Sequence, residues 1–139
     1  MDHNVKLLQS IYENARLGKA ALARLIKNCA DANFRQLMAE QFAKYHEVQE
    51  DAEKLFRDTC LEPHQPILMP LKKHISLNLT IDKTSSHMAE KLMHGSLFGI
   101  VDMARSRREF ASASTSAKDL AQKLLDIEEG NFLSLQKYL

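Results

Sequence analysis

Three groups of residues in this chain have the types and spacing to do chemistry. The first is His87-x-x-Glu90-x-x-x-His94. Residues three and four apart on a helix share a face, so this string could turn imidazole and carboxylate toward one metal ion. On the helical wheel, however, the three side chains gather away from the apolar stripe of their segment, and only Glu90 approaches its buried edge. His87 and His94 also stand about 10 Å apart along the axis, too far for one ion to take both. A solvated or subunit-facing role is expected, with Leu97, Phe98 and Val101 near the same face suited to a contact between subunits. The second group, His46 with Glu50 four residues on, has the spacing of an exposed helical pair.

The third group is set off by an acid inside an apolar stripe. From Ala117 to Leu139, the residues Ala117, Leu120, Ala121, Leu124, Leu125, Ile127, Phe132, Leu135, Tyr138 and Leu139 fall on one helical face at about 100° per residue. Glu128 and Asn131 lie within that face. Gln41 and Tyr45, one turn apart, occupy the middle of an earlier stripe, and Tyr12 sits on the flank of the first. The five residues predict an interior polar layer. Desolvation should raise the pKa of its carboxyl unless hydrogen bonds favour the ion. Such a layer either fixes helix register as a hydrogen-bonded set or forms a ligand or redox site lined by one acid and two phenols. No residue stands out as catalytic.

Positioning these groups calls for long helices, and the composition agrees. The chain has 139 residues, near the size of one domain, with 4 Gly, 3 Pro, no Trp and 45% hydrophobic residues, which favours an all-α fold over a turn-rich β architecture. The first helix is read over residues 3–29, with the seam Leu8, Ile11, Ala15, Gly18, Leu22, Leu25 and Cys29. Ala15 and Gly18 leave room at its centre, while Glu13 falls on the far, solvated face. A short polar link follows, with Asp31 as the next cap, so an antiparallel neighbour is expected over residues 32–59. Its seam is Phe34, Met38, Gln41, Tyr45, Val48, Ala52, Leu55 and Thr59.

All three prolines, Pro63, Pro66 and Pro70, mark a long crossover over residues 61–84 that carries a short amphipathic helix at Leu68, Leu71, Ile75 and Leu79. An unbroken helix from there to Phe110 would exceed about 60 Å, against about 40 Å for each of the first two. A new helix therefore starts near Asp82, Thr84, Ser85 or Ser86 and runs over residues 85–111. Its stripe is Met88, Ala89, Leu92, Met93, Ser96, Gly99, Ile100 and Met103. Gly95 and Gly99 each cost about 1 kcal/mol against alanine in a helix, which predicts close approach to a neighbour. The Ser112–Ser116 turn, with Ser114 or Ser116 as cap, leads into a fourth helix over residues 116–138.

A net charge of +1 gives no field to hold a polyanion, so nucleic acid is not an expected partner, and Arg105-Ser106-Arg107-Arg108 reads as a solvated helix end favoured by the dipole. No apolar run reaches the roughly 18 residues of a membrane span, and the N-terminus lacks a signal-peptide layout. No membrane partner is expected, and a cytoplasmic location is. Cys29 and Cys60 would lie at opposite ends of a hairpin, so they are expected to stay reduced.

Two helical hairpins joined by a long crossover, with polar residues in mid-bundle, resemble the ferritin-like superfamily, and in particular its small bacterial four-helix-bundle proteins of unassigned function. The residues that carry the likeness are Ile11-Tyr12-Glu13-Asn14-Ala15, Ser86-His87-Met88-Ala89-Glu90, Gly95-Ser96-Leu97-Phe98-Gly99-Ile100 and Glu128-Glu129-Gly130-Asn131, so it spans nearly the whole chain. In metal-using members the resemblance implies a Glu from each of two helices and Glu-x-x-His from each of the other two. Here Asn131 stands where that His would be, Gln41 and Tyr45 replace a second Glu-x-x-His, and the first helix presents Ala15 and Gly18. The expectation is a ferritin-like four-helix bundle that forms a homodimer, needs no cofactor and is not an enzyme. It would bind a small ligand or a protein through Glu128, Asn131, Gln41, Tyr45 and Tyr12. The alternative is an iron or manganese oxidoreductase or metal store using Glu128, Glu90, His87 and His94.

Overall fold

Four side-chain caps start four helices in the computed structural model, which describes residues 2–59 and 84–139. Helix α1 (His3–Ile26) opens at Asp2, whose carboxylate accepts from the Asn4 amide at 2.9 Å. Helix α2 (Ala32–Asp58) opens at Asp31, which accepts from the amides of Asn33 and Phe34. Helix α3 (Ser85–Glu109) opens at Thr84 and α4 (Thr115–Leu135) at Ser114, each accepting from the amide three residues on. Each cap satisfies a donor that the helix cannot, worth about 1 kcal/mol. The first helix ends earlier than expected, because the chain must turn through Lys27 to Ala30 before the Asp31 cap. The fourth closes in a short 3-10 turn, Gln136–Tyr138. No strand occurs among the described residues. Cys60 and the expected crossover with its short helix lie outside them.

Contacts between helices fix the topology. Tyr12 meets Phe56 edge-on at 6.4 Å and Lys19 donates to Gln49 at 3.0 Å, so α1 and α2 run antiparallel. Arg107 donates to Gln122, and Gly99 lies against Glu128, which makes α3 and α4 a second antiparallel hairpin. Between hairpins, Ser10 with Ser106 and Asn14 with Asp102 join α1 to α3. Lys123 reaches Glu47 and Asp51, and Phe34 stacks on Tyr138 at 4.4 Å, joining α2 to α4. The helices thus ring the core in the order α1, α2, α4, α3. Helices α2 and α3 run in the same direction, so α2 ends at the end of the bundle opposite to the start of α3. The chain is an all-α four-helix bundle of two antiparallel hairpins joined across its length.

The apolar stripes fill the interior. Phe34, Met38, Gln41, Tyr45, Val48 and Ala52 are buried as their spacing predicts, but Phe56 then replaces Leu55 and Thr59. A helix of 3.6 residues per turn drifts off a strict three-and-four alternation over six steps, which carries Phe56 into the core. Burying a phenylalanine fully contributes about 2–3 kcal/mol, so Phe34 and Phe56 anchor the two ends of α2. On α3, Ile100 is half-buried and Ser106 turns inward to Ser10, while Arg107 and Arg108 form the last turn as expected. On α4 the buried line is narrower than the stripe: Leu125, Ile127 and Phe132 are half-buried and Leu139 is exposed. Glu13 lies outside the core as expected, half-buried at the surface, where it accepts from Gln9. Cys29 is a buried free thiol. No helix among the described residues is long and apolar enough to cross a membrane.

Candidate functional site

The polar layer sits at mid-height, where two glycines make room for two large polar side chains. Tyr45 projects from α2 onto α1 at Gly18. A Cβ there would lie 2.7 Å from the ring carbons, so any side chain would push the phenol aside. Glu128 projects from α4 onto α3 at Gly99, where a Cβ would run into the carboxyl group. Each hairpin therefore carries a glycine on its first helix and the residue that fills the gap on its second. The two large side chains meet between the hairpins, where the Tyr45 hydroxyl donates to Glu128 Oε1.

Burial sets the electrostatics. Glu128 is 3% exposed and Tyr45 4%. Desolvation pushes the Glu128 carboxyl up to about 8, against the pull of the Tyr45 hydrogen bond, which favours the ion. The group is thus largely neutral at physiological pH. Burial, and then the neighbouring Glu128, raise the Tyr45 phenol well above its ordinary range, with Asn131 and Ser96 beside its oxygen tempering the rise. Asn131 Nδ2 nevertheless finds no hydrogen-bonding position, and neither does Gln41 Nε2, although both are fully buried. A buried donor without an acceptor costs about 1–3 kcal/mol.

A cavity of about 40 Å³ adjoins this layer. At roughly 10–15 Å³ per water it has room for about three or four. Gln41, Tyr45, Ser96 and Glu128 form its polar wall and Leu22, Leu25 and Leu92 its apolar one. Leu17, Ala21, Lys91, Gly95 and Phe98, on α1 and α3, lie toward the surface. Gly95 does not follow the close-packing expectation, because a Cβ there would meet nothing within 4 Å. Its missing side chain leaves the groove between α1 and α3 open and packs against no neighbour. Gly95→Ala is accordingly expected to raise stability in a denaturant melt by about 0.5–1 kcal/mol, the gain in helix propensity. A loss would show that the backbone at this position is constrained.

Four of the five interior candidates, Glu128, Tyr45, Gln41 and Asn131, come together in this layer. Tyr12 does not line the cavity: it is buried about two turns away along α1, against Phe56. Of the metal string, His87 is half-buried in the first turn of α3, and Glu90 and His94 are exposed. Glu90 misses the buried edge where it was expected because the buried arc of α3 centres on Leu92, Ser96 and Met103, on the opposite side of the helix. Among the described residues, no three His, Cys, Asp or Glu side chains are placed to share a metal ion. His46 and Glu50 form the exposed pair expected, at 3.4 Å, with Lys19 beside the imidazole.

Two members of the site were not singled out in the sequence. Asn14 lines the cavity and donates to the Ser10 carbonyl and, at 2.7 Å, to Asp102 of α3. Ser96 supplies the hydroxyl at the Tyr45 oxygen. Ser96 already lay in the predicted stripe as its one hydroxyl; Asn14 adjoins Ala15 of the seam and gave no such signal.

Chemically, the buried wall of the layer offers donors and a neutral acid, and the one charged side chain lining the cavity is Lys91, toward the surface. It suits a small group that accepts hydrogen bonds and has an apolar side, and one protonated carboxyl group is too little to hold a multivalent cation. No family model matches the chain, and no curated protein does. Among solved structures it is similar to the E. coli stress protein YciF, with a TM-score of 0.74 and 12% sequence identity over 96% of this chain and 89% of that one. At that identity the likeness is one of fold.

Proposed function

We propose that this chain is a ferritin-like bundle that binds a small neutral ligand at mid-height in place of a pair of metal ions, and that it is not an enzyme. The observation that carries the reading is Gln41. Its buried amide donor lacks a partner and sits in the wall of a cavity that Tyr45 and Glu128 also line. A ligand carbonyl or hydroxyl accepting from Gln41 Nε2 would remove an unsatisfied donor and place its apolar part against Leu22, Leu25 and Leu92. Ligand sites are largely preformed, mostly apolar and carry a few placed polar groups, as this cavity does.

The metal-using alternative fits these residues poorly. Two divalent ions need several anionic oxygens and imidazoles, and the layer supplies one carboxyl group that burial keeps protonated. Both readings are tested on one preparation, purified without chelator or a histidine tag. Acetone, a small uncharged acceptor with an apolar side, is titrated while the side-chain amide of Gln41 is followed by NMR. A saturable shift is expected there and at the backbone amides of Leu92 and Ser96, which also line the cavity, and the response of those two should be lost in Gln41→Leu; no saturable shift in the wild type, or an unchanged response in the variant, would count against the ligand site. After anaerobic incubation with iron(II) or manganese(II) and desalting, metal content should be well below one ion per chain. Stoichiometric metal that disappears in Glu128→Gln would overturn the reading in favour of a metal oxidoreductase or store.

A further inference from the structure

The outward face of α3 points away from the mid-height layer and touches its cavity only at the edge, through Phe98. Leu97, Phe98 and Val101 are each 48% exposed and adjacent on it, whereas the inner face of the same helix is fully occupied by the core. Leu97 and Val101 belong to a line at alternate spacings of four and three: Glu90, His94, Leu97, Val101, Ala104 and Arg108, all exposed. Phe98 and Arg105 flank it. Among the described residues, none of Glu90, Arg105 and Arg108 has an ion-pair partner.

That line is self-complementary when reversed about the level of Gly99. Laid antiparallel on itself, it places Leu97 opposite Val101, the bulky His94 opposite the small Ala104, and Glu90 opposite Arg108 with Arg105 alongside. The apolar residues fall at the centre and unlike charges at both ends. We infer that this face is a two-fold interface between copies of the chain, in which α3 packs antiparallel on α3 of the partner subunit. A two-fold contact must use one patch twice, so a patch with an acid at one end and bases at the other is what such a contact requires. Along this line reversal brings each Glu90 onto bases and never onto another acid. A partner of uniform charge would instead meet attraction at one end of the line and repulsion at the other.

The test uses charge reversal and mixing, read by sedimentation of the full chain. The wild-type protein is expected to be a dimer at micromolar concentration. Glu90→Arg, and separately Arg105→Glu with Arg108→Glu, should each weaken association by about tenfold or more, because each sets like charges opposite one another at both ends. An equimolar mixture of the two variants restores both pairs of unlike charge and should recover wild-type affinity as a heterodimer. Recovery cannot come from a variant that has failed to fold. A wild-type chain that sediments as a monomer would overturn the inference. So would a dimer that neither variant weakens, or variants whose mixture remains as weak as each alone.

Discussion

The wild-type protein is expected to lose stability as pH rises from about 5 to about 8, and Glu128→Gln is expected to remove most of that slope. In the unfolded chain the carboxyl titrates near its ordinary value; in the folded one burial holds it at about 8. Between those values the folded state binds a proton that the unfolded state has released, so stability falls as pH rises. The contribution is complete below the unfolded value and gone once pH has passed the folded one. At 1.36 kcal/mol per unit, the whole effect is bounded at about 4–5 kcal/mol. The Tyr45 phenol, whose raised pKa favours its neutral form, adds a loss only in more alkaline solution, as pH passes its ordinary value. Chemical denaturation of both proteins at closely spaced pH values isolates the Glu128 part, since the other titrating groups are common to both. Parallel curves would mean that Glu128 is ionised or solvated in the folded state. At pH 6, Glu128→Gln should retain most stability because its amide oxygen can still accept from Tyr45. Glu128→Ala should cost over about 1 kcal/mol by leaving that hydroxyl unpaired.

Gly99→Ala should destabilise the protein by about 2–3 kcal/mol, although alanine is the better helix former by about 1 kcal/mol. The added methyl group would occupy the space of the Glu128 carboxyl, in a core where neither α3 nor α4 can move without disturbing its partner. The same substitution at Gly95, one turn away, has the opposite expected sign, so propensity cannot account for the pair. A double-mutant cycle checks the cause: in a Glu128→Ala background the penalty of Gly99→Ala should largely vanish. An undiminished penalty would place the clash elsewhere.

Much of this was legible because helices bury by periodicity. Glu128 was conspicuous as a charge inside an apolar stripe, and Gln41 and Tyr45 as polar residues at the centre of another; all three are buried where the wheel puts them. The wheel gives direction around a helix but not height along a neighbour. Tyr12 faces inward as expected and yet lies two turns from the layer, a displacement that only the pairing of Tyr12 with Phe56 reveals. The two α3 glycines show a second limit. Their spacing marks both as unusual, but whether a Cβ would strike Glu128 or open groove depends on which neighbour each one faces. Unsatisfied amides and a cavity depend on atomic positions, and no pattern of residue types encodes them.

The glycines opposite Tyr45 and Glu128 also make the chain read as one unit used twice. Tyr45 follows its cap Asp31 by fourteen residues, and Glu128 follows Ser114 by the same number. The halves occupy equivalent posts with unlike chemistry, one a phenol that donates and the other a carboxyl group that accepts. A core assembled from two first halves would set phenol against phenol with no acid between them. One assembled from two second halves would bury two acids face to face, stable only with a shared proton or a cation. Divergence at a single post therefore sets one donor against one acceptor across the two hairpins, a match that neither half makes with a copy of itself in the same protonation states.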